Sequence, residues 1–143
     1  MLMIRVFLDA NVLFSASNTG SNIARLVQLL IEHGQAVSSD FAIEEARRNI
    51  AVKRPDWASG FAALVDQIEA VPSTRFKLPV ELIEKDQPIL CTAIRAECVY
   101  LATGDKRDFG HLYDMTVERV TIVDLPGLAR VVVGIIEEKS REQ

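Results

Sequence analysis

The sequence lacks the features that mark several large classes of protein. No apolar run approaches the roughly 18 residues that a helix needs to span a bilayer, and the N-terminal residues have no basic leader or small-residue cleavage site. Only two cysteines occur among 143 residues, too few for a disulfide framework. We therefore expect one cytoplasmic domain over residues 1–143, with no membrane segment, and with Cys91 and Cys98 as reduced core thiols on one face of a helix.

Several catalytic motifs are also missing. The chain has no G-x-x-x-x-G-K-[ST] phosphate loop, no G-x-G-x-x-G after its first apolar segment and no G-x-S-x-G nucleophile elbow. His33 and His111 lack the spacing of a zinc pair. The net charge of −4 gives no general attraction to nucleic acid, but acids that bind divalent cations would convert a pocket into a phosphate site.

Strand-like and helix-like segments alternate along the chain. IRVFLD, QAVSS, CVYLATGD and VERVTIVDL are typical of strands, and a weaker strand is expected at EAVPS. After the first strand we expect a loop over residues 15–22, with the first helix running through Ile23–Ile31. This alternation predicts an α/β protein of three α/β/α layers, with a central, mostly parallel sheet of about five strands.

Acidic residues recur where the predicted strands end. Ligands of parallel α/β sheets bind outside the carboxyl ends of the strands, so acids at these positions are candidates for a site. The acids concerned are Asp9 after the first strand, Glu44 and Glu45 in the helix after the second, Asp86 before the helix that leads into the fourth, and Asp105 and Asp108 after the fourth.

Each acid also has an ordinary structural explanation. Asp86 is well placed to cap a helix, and Asp105 follows a glycine in a turn. A capping role for Asp9 is weak, because the next helix is expected many residues later. Together, however, these carboxylates would repel one another unless a cation held them, and oxygen-only ligands favour Mg²⁺ or Mn²⁺.

The ordered set of motifs resembles the PIN domain. The matching segments are LDANVLFSA, VSSDFAIEEARRNI and DQPILCTAIRAECVYLATGDKRDFG, and the resemblance covers about residues 4–125. It implies a single PIN-like nuclease domain that hydrolyses RNA phosphodiester bonds with Mg²⁺ or Mn²⁺. Many PIN domains are the toxins of type II toxin–antitoxin pairs of the VapC type, so the resemblance also implies RNA as substrate and an antitoxin protein as partner.

The resemblance also assigns residues. It makes Asp9, Glu45, Asp86 and Asp105 the catalytic acids and metal ligands, with Asp108 as a further ligand. Glu44 remains an alternative to Glu45, because helical periodicity puts both away from the centre of the core face. Asn11 and Thr103 match supporting positions that place the first acid or the metal.

Two functions of other classes remain open on the sequence alone. One is a catalytically silent PIN-like module that binds RNA or protein, and the other is a metal-dependent phosphatase. The last helix has a broad apolar face, which we expect to pack on the sheet, with a homodimer or antitoxin contact as the alternative. That face consists of Leu128, Val131, Val132, Ile135 and Ile136.

Overall fold

Six strands form one sheet in the structure, a computed structural model that describes residues 3–142. The strands are β1 (Arg5–Leu8), β2 (Gln35–Ser39), β3 (Glu69–Val71), β4 (Tyr100–Ala102), β5 (Thr116–Val117) and β6 (Val120–Val123). Their order is β3-β2-β1-β4-β6-β5. Every neighbouring pair is parallel except the β5–β6 hairpin, so the first strand of the chain lies in the middle of the sheet.

Within residues 3–142, seven α-helices connect and cover the strands. They are α1 (Ala10–Ala16), α2 (Asn22–His33), α3 (Asp40–Lys53), α4 (Ala58–Val65), α5 (Gln87–Arg95), α6 (Lys106–Phe109) and α7 (Leu125–Arg141). Among residues 3–142, no helix is both long enough and apolar enough to cross a membrane.

The helices form two layers around the sheet. Helix α1 packs against α2, α3 and α4, and α2 also packs against α7, whereas α5 contacts β2 and β4. Crossovers between parallel strands are right-handed in nearly all proteins. With the strand order seen here, this rule places the helices between β1 and β3 on one face of the sheet and α5, which lies between β3 and β4, on the other. The predicted three-layer, mostly parallel α/β/α architecture is therefore confirmed.

The core follows from the apolar strands. Val6, Phe7 and Leu8 of β1 are 0% exposed, as are Leu101 of β4 and Ile122 of β6. Strands covered on both faces need apolar residues at every position, which explains why IRVFLD shows no alternation of polar and apolar residues. β1 is held at the centre of the sheet by this burial.

The register brings the carboxyl ends of the central strands to one edge of the sheet. Leu8 of β1 pairs with Ala102 of β4, and Ala102 pairs with Val123 of β6. One further bond extends each ladder, from Asp9 N to the Ala102 carbonyl (3.1 Å) and from Thr103 N to the Val123 carbonyl (3.0 Å). The residues that follow these strands therefore leave the sheet at one level, and we call this the carboxyl edge.

Two expectations about where helices and strands begin and end are wrong. Helix α1 begins at Ala10, directly after β1, so the first helix does not wait until Ile23. The segment is short and largely apolar, which hides its helical periodicity, and Asp9 provides its cap. The last strand is split into β5 and β6 by a turn in which Glu118 and Arg119 have positive φ angles of 47° and 77°.

The cysteines are free and buried, as expected, but they do not share a helix. Cys91 lies in α5, which ends at Arg95, and Cys98 lies beyond that end. Burial raises the pKa of the Cys98 thiol to about 12, so this thiol stays protonated and unreactive at neutral pH.

Two glycines in helices provide a matched test of the packing. A Cβ on Gly60 of α4 would overlap the Ser17 carbonyl oxygen and lie 2.9 Å from Thr19 Cγ2, whereas a Cβ on Gly134 of α7 would meet nothing within 4 Å. We expect Gly60→Ala to lower the free energy of unfolding by about 1–3 kcal/mol and Gly134→Ala to raise it by up to about 1 kcal/mol. Chemical denaturation measures both, and a Gly60→Ala protein as stable as the wild type would contradict the close α1–α4 packing.

Candidate active site

Asp9 is fixed at the point where β1 becomes α1. Its Oδ1 accepts a hydrogen bond from the Ala10 N–H (2.7 Å), which caps the helix. Its Oδ2 accepts from the Thr103 hydroxyl (2.8 Å) and from the Asn11 side-chain amide (3.2 Å). The residue is 4% exposed, so a buried carboxylate is held in one orientation by groups from the start of α1 and from the residue that follows β4.

Asn11 and Thr103 connect the turn between β1 and α1 to the loop between β4 and α6. The Asn11 Oδ1 accepts from the Gly104 N–H (2.7 Å), and the Asn11 Nδ2 donates to the Thr103 Oγ1 (3.2 Å). The Thr103 Oγ1 also accepts from the Asp105 N–H (3.1 Å). The loop after β4 is therefore positioned by side chains from the start of α1.

Asp105 begins the short helix that follows β4. Its Oδ1 accepts from the Asp108 N–H (3.1 Å), which caps α6. One carboxylate oxygen each from Asp86, Asp105 and Asp108 lies within 4.8 Å of the other two. We call these three residues the acidic cluster. Among residues 3–142, it is the one group of three or more ligand-type side chains this close together.

Asp86 is the buried member of the acidic cluster. It ends a 3-10 turn over Glu84–Asp86 and precedes α5, but its side chain makes no capping hydrogen bond. The residue is 8% exposed, and its Oδ2 is buried without a hydrogen-bond partner among the described residues. A buried polar atom without a partner needs an explanation, and an oxygen ligand prepared for a cation supplies one.

Burial and repulsion shift the ionisation of two of these acids. Burial, and after it the adjacent Asp108 carboxyl group, raises the pKa of Asp86 to about 7. Burial also raises the pKa of Asp9 to about 6, against the opposing hydrogen bonds from Thr103 and Ala10. The negative charge of Asp9 contributes to the shift at Asp86, so the carboxyl edge carries more acid than it can fully ionise without a counterion.

The two candidate glutamates of α3 face different surroundings. The charge of Glu45 raises the pKa of Asp9, and Glu45 is half-buried. Glu44 is exposed and forms an ion pair with Arg47 (3.6 Å). Glu45 thus lies on the side of α3 that approaches Asp9, although neither it nor Asp9 belongs to the acidic cluster.

Two further residues at this edge, Tyr113 and Lys85, are not identified by the sequence analysis. The Tyr113 hydroxyl donates to the Thr103 carbonyl (3.0 Å), and burial together with the charges of Asp124, Asp105 and Asp9 raises the pKa of Tyr113. The Lys85 ammonium lies 3.2 Å from Asp108 Oδ2 and 3.7 Å from Asp86 Oδ2. The adjacency of Lys85 to Asp86 in the sequence is the one clue that could have drawn attention to it.

The sequence matches no family model and no curated protein, but solved structures match its fold. A chain in the crystal structure of VapBC2 from Rickettsia felis, bound to a DNA fragment from their promoter, matches with a TM-score of 0.62 and 13% identity, over 85% of this chain and 98% of that one. PAE2754 from Pyrobaculum aerophilum matches with a TM-score of 0.56 and 16% identity, over 92% of this chain and 90% of that one.

These matches extend over most of both partners at low sequence identity, so they concern the fold. The protein has the PIN-like α/β/α fold.

Proposed function

We propose that the protein is an endoribonuclease that uses Mg²⁺ or Mn²⁺ to hydrolyse phosphodiester bonds of RNA. The observation that carries this proposal is the buried Oδ2 of Asp86, which has no hydrogen-bond partner among the described residues and lies in the acidic cluster. A buried carboxylate is costly unless a cation or a donor compensates it. The PIN-like fold supports the choice of nuclease among the metal-dependent hydrolases.

The proposed cation ligands are carboxylate oxygens. Asp86, Asp105 and Asp108 would hold the ion, with Asp9 and Glu45 completing the acidic wall on the side of α3. All-oxygen donor sets suit hard cations such as Mg²⁺ and Mn²⁺. A bound divalent cation acidifies water and neutralises charge that develops on a phosphate during hydrolysis.

The chain itself supplies orientation. Asp9 and Asp105 each accept a hydrogen bond from a backbone N–H, and Thr103 links the two loops. This geometry exists before any substrate binds, and preorganised charge is an efficient way to stabilise a transition state. Single-stranded or looped RNA is the proposed substrate, because its bases and backbone are accessible.

The biological setting we propose is a toxin–antitoxin pair that acts on cytoplasmic RNA. The likeness to a chain of VapBC2, which was solved with promoter DNA, supports this setting. The partner would be an antitoxin protein. The proposed contact surface for it, or for a second copy of the chain, is formed by half-buried apolar side chains of α7, among them Val131, Ile135 and Ile136.

Asp9→Asn should abolish cleavage without unfolding the protein. Asparagine keeps the size and the Oδ1 acceptor for α1 but removes the charge, and we expect a loss of about 100-fold or more, since residues that only orient a metal ligand already carry about 10–100-fold. The rate at which each variant cleaves a labelled single-stranded RNA in the presence of Mn²⁺ measures this loss, and circular dichroism checks the fold. The matched control is Asp66→Asn, an exposed acid that follows α4; cleavage by Asp9→Asn at the rate of this control would refute the mechanism.

Glu44 and Glu45 provide a second matched pair. Glu45→Gln should lower the cleavage rate by about tenfold or more, because it removes a carboxylate that acts on Asp9. Glu44→Gln should stay within about twofold of wild type, because Glu44 is an exposed partner of Arg47. The same RNA assay compares them, and a greater loss in Glu44→Gln would transfer the assignment to Glu44.

The raised pKa values predict opposite effects of pH and metal on stability. In the metal-free protein, the pKa values of Asp9 (about 6) and Asp86 (about 7) exceed the ordinary 3.8, so the folded state takes up protons more readily than the unfolded chain. Their contribution to stability is therefore greatest below about pH 4 and falls as the pH rises towards 7, by a few kcal/mol in total.

Mn²⁺ should reverse this loss, since it binds the ionised carboxylates. We expect Mn²⁺ to raise the Tm by several degrees near pH 8, by much less near pH 5, and not at all in Asp105→Ala. Thermal unfolding with and without Mn²⁺ measures the shifts. No shift near pH 8 would favour a catalytically silent binding module, and hydrolysis of a phosphomonoester in place of RNA would favour a phosphatase.

A further inference from the structure

Lys85 brings a positive charge into the acidic cluster from the residue that precedes Asp86. Its ammonium lies 3.2 Å from Asp108 Oδ2 and 3.7 Å from Asp86 Oδ2. The side chains of Asp86 and Asp108 are each 12% exposed, whereas that of Lys85 is 65% exposed. The lysine therefore reaches in from solvent, and its ammonium lies over two largely covered carboxylates.

The carboxylate oxygens that Lys85 approaches are those proposed to bind the cation. Asp86 Oδ2 has no hydrogen-bond partner among the described residues, and the ammonium at 3.7 Å is the positive charge beside it. A divalent cation within this cluster would be placed within a few ångströms of the ammonium, and two cations at that distance repel strongly.

We propose that Lys85 is the built-in counterion of the acidic cluster, and that a divalent cation binds by displacing its ammonium from Asp86 and Asp108. This inference rests on the proposed function, since it assumes that the cluster binds a metal. An exposed lysine on a flexible stem is displaced at little cost. The competition between the ammonium and the metal sets the concentration at which the metal binds. When no metal is bound, the ammonium of Lys85 holds the carboxylates of Asp86 and Asp108 together.

The role belongs to Lys85 and not to its neighbours. Lys106 directly follows Asp105, as Lys85 directly precedes Asp86, but it makes no ion pair within residues 3–142. The hydrogen bond from Lys85 to Asp108 and the charges of Asp86 and Asp105 raise the pKa of Lys85. The ammonium therefore stays charged at neutral pH, and metal displaces it without any change of protonation.

Lys85→Met and Lys106→Met form a matched pair, because each removes one positive charge next to a proposed ligand. Isothermal titration calorimetry with Mn²⁺ should show that Lys85→Met binds about two- to fivefold more tightly than wild type, a range typical of an exposed lysine ion pair. Lys106→Met should stay close to wild type. The metal-free Lys85→Met protein should have a lower Tm near pH 8, because two carboxylates lose their counterion.

A measurement on the wild-type protein tests displacement directly. Labelling of lysine amines, read by mass spectrometry, should show faster modification of Lys85 when Mn²⁺ is added, because the ammonium leaves the carboxylates. Lys53, an exposed residue at the end of α3, should be modified at the same rate with and without Mn²⁺. This result does not depend on whether Lys85→Met folds.

The outcomes separate the two proposals. Wild type that binds Mn²⁺ while Lys85→Met binds no more tightly, or while Lys85 labelling is unchanged, overturns the counterion role and leaves the metal site standing. Failure of both wild type and Lys85→Met to bind Mn²⁺ overturns both proposals.

Discussion

The parallel pairing of β1 with β4 is the constraint on which the site depends. Because Leu8 pairs with Ala102, Asp9 and Thr103 leave the sheet side by side, and a hydroxyl from one strand can hold a carboxylate from the other. The paired residues Leu8, Leu101 and Ala102 are fully buried, so a change of register would require the core on both faces of the sheet to repack. The packing of the core thus determines the distances between groups at the edge.

The same constraint concentrates negative charge. Several features relieve this concentration of charge: hydrogen bonds to Asp9 and Asp105, a raised pKa at Asp86 and the ammonium of Lys85. The hydrogen bonds and the ammonium hold carboxylates in place, and the raised pKa lowers the charge of Asp86. None of these features neutralises the whole site. This division of roles is consistent with a cluster that remains ordered while a cation enters or leaves.

Much of this arrangement follows from the sequence, and the remainder depends on contacts that a sequence does not display. Strand ends locate Asp9 and Asp105, because a parallel sheet brings such ends together, whereas Asp86 is located by the start of the helix that it precedes. Periodicity cannot separate Glu44 from Glu45, since both lie off the core face of α3; their neighbours in space distinguish them. Helix α1 was missed because it is short and mostly buried, and Lys85 because its role depends on Asp108, from a distant part of the chain.

The central place of β1 also has a consequence for synthesis of the protein. Ribosomes make β1 first, but its neighbour β4 ends only at Ala102 and Asp105 follows later still. A growing chain that stops short of these residues has Asp9 without Thr103 and without the acidic cluster. The carboxyl edge is therefore assembled only after most of the chain has been translated.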